Sequence, residues 1–139
     1  MNSSSNARST RTSNTGVQVR SAAEGSVRGA QVEIENDSVR TGHIFGQGMG
    51  QWLTQELPKG TETPFKSSAW NTFRVLVIGQ NIKTWINDVP VTDTTNEKIA
   101  TEGIIALQVH GHPRGKAREA GATEILSVAW RNIKIRTLE

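Results

Sequence analysis

Apolar and polar residues alternate in short runs along most of the chain. Segment 16–21 (GVQVRS) sets Val17 and Val19 against Gln18 and Arg20, and segment 30–36 (AQVEIEN) sets Val32 and Ile34 against Gln31, Glu33 and Glu35. Segment 103–111 (GIIALQVHG) sets Leu107 and Val109 against Ala106, Gln108 and His110, with His112 in step just beyond. A period of two is the mark of a strand with one face turned inward. Further strands are predicted at 70–79 and 82–88, a hairpin that 89–93 continues after its turn, and at 124–138 with a break near Ser127, while 43–46 is a short apolar piece. Gln80 and Asn81 read as a hairpin turn, and Pro58, Gly60 and Pro64 make 54–68 a long loop. Residues 113–122 read as a loop or a single helical turn, and no segment carries a long helical period. Many short strands with regular turn signals predict an all-β fold, an antiparallel sandwich or jelly roll.

The first fourteen residues, MNSSSNARSTRTSN, hold no core-forming side chain after Met1 and read as a disordered arm. That leaves 15–139 as a single β-sandwich domain, which suits a chain of 139 residues. No apolar run is long enough for a membrane span, so no membrane partner is expected. The chain has no cysteine, which excludes disulfides, thiolate metal sites and a cysteine nucleophile. Its formal net charge is +3, and the basic residues are scattered rather than gathered in a stripe, so no nucleic-acid partner is expected. No apolar stretch of signal-peptide type follows Met1, and the compartment stays open.

If the three alternating strands share a sheet, Arg20, Glu33, Gln108 and His110 meet on its outer face. One reading makes this the solvated face that every sandwich has. Against it, the three strands carry no lysine on that side, only long amide, carboxylate, guanidinium and imidazole groups. Such groups suit paired hydrogen bonds to a polyhydroxylated ligand. Of the four tryptophans, Trp52, in the glycine-rich GQGMGQW, is the stacking candidate. Trp70, Trp85 and Trp130 sit at strand positions and are expected to pack.

Glu33 and Glu35 share a face with Cα atoms about 6.5–7 Å apart. That spacing permits glycoside hydrolysis, whose carboxyl pairs stand roughly 5–9.5 Å apart, without specifying it. His110 and His112 could offer two imidazoles on one face, with Glu33 completing a set for a divalent ion such as zinc or manganese. The alternative is that His112, before Pro113, already belongs to a loop.

A series of motifs in order carries a resemblance. NTGVQVR (14–20), GAQVEIEND (29–37), TGHIFG (41–46), WNTFRV (70–75), NIKTWINDVPV (81–91), GIIALQVHG (103–111) and WRNIKI (130–135) together resemble the 3-keto-disaccharide hydrolase domain, long called a domain of unknown function. The resemblance runs from about Asn14 to Leu138. It implies a concanavalin A-like, lectin/glucanase-type jelly roll. The family's motifs fall on Arg20, the Gln31/Glu33 pair, Gly46, Trp70-Asn71, Asn87, Gln108, His110 and Arg131-Asn132. Gln and Glu are exchanged in order at 31 and 33, Phe45 stands where tyrosine is usual, and Asp88 replaces a turn glycine. Family domains carry further strands before the first motif, which this chain is expected to lack. A homo-oligomer covering the exposed sheet edge would answer that gap.

The resemblance also implies a chemistry. A 3-keto group acidifies the C2 proton of a sugar; a base removes it, an enolate forms, the C1 group leaves and water adds. His110 suits the base, Arg20 or a bound metal the enolate, and Glu33 the acid or a metal ligand. Gln108 would orient the sugar, with Gln31, Trp52 and His112 as further substrate contacts. The other reading is a sandwich that binds glycan without turning it over. No cofactor is specified; a divalent metal ion is the one candidate.

Overall fold

The computed structural model describes residues 1–9, 14–36, 38–109, 121 and 127–138. These form ten strands: β1 (Asn2–Ser9), β2 (Asn14–Ala22), β3 (Arg28–Glu35), β4 (Ile44–Gln47), β5 (Gln51–Trp52), β6 (Asn71–Ile78), β7 (Asn81–Ile86), β8 (Val89–Thr95), β9 (Ile104–Val109) and β10 (Val128–Arg136). They make two five-stranded sheets, ordered β10-β1-β6-β7-β8 and β5-β4-β3-β2-β9, with antiparallel pairing throughout. This is the jelly-roll sandwich that the alternation predicts. No helix among the described residues is long and apolar enough to cross a membrane.

The inward positions of both sheets build the core. Val17, Val19, Val32, Ile34 and Ile44 from one sheet meet Phe73, Val75, Val77, Ile82 and Ile86 from the other, with Leu53, Phe65 and Ile99 entering from loops. Tight turns set the register. Ile78 faces Asn81 across β6 and β7, so the turn is Gly79-Gln80, one residue earlier than the sequence suggests. Asn87 and Asp88 join β7 to β8 with φ of 51° and 65°. Two successive positive φ values are the requirement of a type I′ hairpin turn, and Asn and Asp tolerate them.

The expected arm is corrected over residues 2–9. These residues form β1, which lies between β10 and β6 and pairs with both. The Met1 ammonium donates to the Val77 carbonyl at 3.0 Å, and the Val77 N–H donates back to the Met1 carbonyl at 2.9 Å. Hydrogen-bonded backbone on both sides holds this strand, which the hydrophobic pattern cannot announce. A strand therefore does precede the Asn14-Thr15-Gly16 motif. At the far edge of the other sheet, β9 turns Leu107 and Val109 to the same side as buried Val17, yet they are 40% and 55% exposed.

Candidate functional site

The side of β2 and β3 turned away from the core is also closed to solvent. Gln18, Gln31 and Glu33 are 3%, 1% and 4% exposed, so this is no ordinary solvated face. The register explains the grouping. Ala106, Gln18, Gln31, Phe45 and Trp52 form one cross-strand row over all five strands, and Gln108, Gly16 and Glu33 form the next. Cross-strand neighbours share a face, so an amide-and-carboxylate floor meets an aromatic wall.

The floor is wired in one direction. Ser21 Oγ donates to Gln18 Oε1 at 2.9 Å, Gln18 Nε2 to Gln31 Oε1 at 2.6 Å, and Gln31 Nε2 to Glu33 Oε2 at 2.7 Å. The Asn14 amide donates to Glu33 Oε1. Each glutamine has its carbonyl end taken, so its NH₂ end points onward toward the carboxylate. A buried carboxylate is tolerable only with such donors.

Gly16 leaves the room for this wiring. A Cβ there would stand 2.8 Å from Gln31 Cγ and Nε2 and 2.7 Å from the Val32 carbonyl oxygen. Gln31 lies over this bare position on its way to Glu33.

A cavity of about 470 Å³ stands over the floor, lined among others by Asn14, Gln31, Glu33, Phe45, Trp52 and Gln108. Glu35 also reaches it. The Trp52 ring meets Phe45 edge-on at 5.3 Å, while the Arg40 guanidinium lies 4.6 Å from the Trp52 ring centre. Two contacts thus fix the indole. Gln108 Oε1, across Gly16 from Glu33, is buried without a hydrogen-bond partner.

The predicted residues divide into three groups. Glu33, Gln31, Gln108 and Trp52 come together in this pocket. Arg20 does not join them. It has φ of 51° within the irregularity between Val19 and Ala22, and its guanidinium donates to the Thr101 carbonyl. It lines a separate cavity with Lys98, Glu102 and Gly103. The irregularity breaks the alternation that had set Arg20 beside Gln18, and Ser21 takes that place instead. His110 and His112 lie outside the described residues, and with them the metal set that joins them to Glu33. Among the described residues, no three His, Asp or Glu side chains are grouped to hold a metal ion.

Sequence reasoning missed Asn14, Gly16 and Ser21 as parts of the site and left Gln18 as face polarity. Only the strand register, which sets Gln18 against Gln31 and Gly16 against Glu33, could have found them. The other tryptophans are packing residues: Arg74 covers Trp85 at 3.8 Å, Arg131 covers Trp70 at 4.0 Å, and Trp130 packs against the core.

Among solved structures, the carbohydrate-binding module CBM66 from Bacillus subtilis is similar with a TM-score of 0.64 at 13% identity, covering 95% of this chain and 71% of that one. A Parabacteroides distasonis protein provisionally described as a glycosyl hydrolase gives 0.63 at 20% identity, covering 99% and 77%. Identities this low speak for the shared sandwich. No curated protein matches in sequence. The model of the 3-keto-alpha-glucoside-1,2-lyase-like domain matches residues 4–136, a span that includes Glu33, its donors and the aromatic wall. The chain belongs to the 3-keto-alpha-glucoside-1,2-lyase-like domain family.

Proposed function

We propose that the pocket over Glu33 takes a 3-keto-glycoside and cleaves its C1–O bond by proton abstraction at C2. The observation that carries this reading is the Glu33 carboxylate, buried yet held open to the cavity floor by the Asn14 and Gln31 amides. Family membership supports this choice of substrate class.

In the proposed reaction a base takes the C2 proton, and the C–H electrons form the C1=C2 bond as the C1–O bond breaks by way of the enolate of the 3-keto group. The departing oxygen takes a proton and leaves as the alcohol. Water added across the resulting double bond, hydroxyl at C1 and proton at C2, completes a hydrolysis; without that step the outcome is an elimination. His110 acts as the base at C2; the Glu33 carboxylate, held ionised by its amide donors before the sugar binds, takes up a proton on binding and passes it to the leaving oxygen. Gln108 and Gln31 position the ring hydroxyls, and Trp52 with Phe45 flanks an apolar sugar face. Arg20 has no part at the enolate in this reaction, because its guanidinium is engaged at Thr101 and the residue lines a separate cavity.

Incubating the chain with a 3-keto-disaccharide and following release of the leaving sugar tests this. Glu33→Gln should lower turnover by about 10²–10⁴-fold, the usual contribution of a proton-transferring group. Unchanged turnover would end the proposal.

A second reading is a binding module, favoured by the edge-to-face Trp52–Phe45 wall. It expects saturable binding of an unoxidised oligosaccharide, weakened by Trp52→Ala, with no product formed.

A further inference from the structure

A second pocket, of about 290 Å³, opens where β8 forms the edge of its sheet. His43, Leu53, Thr54, Val91, Thr92 and Thr94 are among the residues that line it. The core-facing side turns polar here. Ile82 and Thr84 face Thr94 and Thr92 across β7 and β8, so hydroxyls stand where aliphatic side chains fill the rest of the sandwich. Most of these hydroxyls are satisfied: Thr84 donates to the Gly42 carbonyl at 2.6 Å, and the Thr92 and Thr94 oxygens pair at 2.8 Å.

Two groups are not. His43 Nδ1 and Thr54 Oγ1 are buried without a partner, in side chains belonging to residues 6% and 9% exposed. Leaving one such atom unpaired costs about 1–3 kcal/mol, and native interiors keep few of them. Two at one cavity mark a place shaped for something that supplies the missing bonds. A single water takes only about 30 Å³ of liquid, while ligand pockets begin near 300 Å³; this cavity matches one small ring.

The occupant's charge can also be read. Two carboxylates stand at the rim: Asp93, already engaged by Asn81 at 2.8 Å and Lys83 at 3.2 Å, and Glu56, which is exposed to solvent. Burial, and then Arg40, pushes the His43 imidazole below its ordinary pKa, so the ring presents a neutral donor–acceptor pair. The interior therefore offers hydroxyls and a neutral imidazole, a set that suits alcohol groups better than an anion or a cation.

We propose that this flank pocket is a second ligand site, taking one neutral polyhydroxylated ring, with His43 Nδ1 and Thr54 Oγ1 as its hydrogen-bonding points. It is independent of the pocket over Glu33, and either can fail without the other.

The test is an NMR titration of the ¹⁵N-labelled chain with methyl α-D-glucoside. The expected result is saturable shifts of the Thr54, Thr92 and Thr94 amides and of the His43 ring nitrogens. Thr54→Val, which keeps the shape, should raise thermal stability by removing an unpaired hydroxyl, yet weaken the sugar response at least about fivefold. His43→Phe should weaken it similarly. No saturable shift of these four residues up to the solubility of the sugar overturns the proposal. So does a response that Thr54→Val leaves intact.

Discussion

Gln31 Nε2 lies 2.7 Å from Glu33 Oε2, two positions along the same strand. Period-two geometry puts both side chains on one face. Gln31 can serve as a donor there because its Oε1 already accepts from Gln18 Nε2 at 2.6 Å. The orientation of a glutamine on β2 thus decides what the carboxylate on β3 receives.

Gln31→Leu leaves Gln18 Nε2 and Glu33 Oε2 without this partner inside a closed face. It should lower the unfolding free energy by roughly 1–3 kcal/mol, and turnover of a 3-keto-disaccharide should fall further than the folded fraction does. Gln18→Leu should cost less, since Gln31 keeps its bond to Glu33. Because the two act through one bond, the double variant should be less destabilised than the sum of the singles. Denaturant titration of all four proteins measures this, and strict additivity would mean that the relay carries no energy.

Gly16→Ala tests the bare position under Gln31. The new methyl would press on Gln31 at 2.8 Å and on the Val32 carbonyl at 2.7 Å. The side chain can swing away, but the backbone oxygen cannot without opening the β2–β3 pair. The expected loss is about 1–3 kcal/mol, as for other overpacked sites, together with loss of sugar binding in the pocket over Glu33. A crystal structure of the variant should show Gln31 turned from Glu33. A Gln31 left in place, with full stability, would contradict the proposed role of the glycine.

These two residues also mark how far the sequence could be read. Alternation at Val17/Val19 and Val32/Ile34 places the core and the two-sheet architecture, because period two is written in residue types. It also brings Glu33, Gln31 and Gln108 to one face. It fails at Arg20, where a positive φ in a strand irregularity moves the side chain toward Thr101; no residue type nearby signals that break. It fails again at β1, whose serines and asparagines hold position through backbone pairing. Nor does a motif separate site from scaffold, as Asn71 and Asn87 demonstrate.

Both asparagines belong to the motifs that carry the family resemblance, yet they close a corner of the fold. Asn71 Oδ1 accepts from the Lys66 N–H at 2.8 Å and from Asn87 Nδ2 at 3.0 Å. Its Nδ2 donates to the Lys66 and Ala69 carbonyls at 2.8 and 3.0 Å. Asn87 also accepts from the Thr72 N–H at 3.0 Å, tying the 64–71 loop to the β7–β8 turn. Asn71→Leu should destabilise the chain by about 2–4 kcal/mol, the range for breaking a buried network. Activity per folded molecule should be unchanged. Measuring turnover against the folded fraction separates this outcome, in which the two fall together, from a catalytic role, which would lower turnover per folded molecule.

His43 makes stability depend on pH in a predictable direction. Burial and the Arg40 charge lower its pKa from the ordinary 6.5. Between that lowered value and 6.5, the folded chain binds fewer protons at this site than the unfolded chain. Stability therefore rises with pH across this window. The contribution is fully present above pH 6.5 and is lost as pH falls through the lowered pKa of the folded state. The chain holds three histidines, so the diagnostic quantity is the difference between the native chain and His43→Gln. Denaturant titrations from about pH 7.5 to 5 should give a steeper decline for the native chain than for the variant. Parallel declines would place the acid sensitivity elsewhere and show that His43 takes up a proton without cost to the fold.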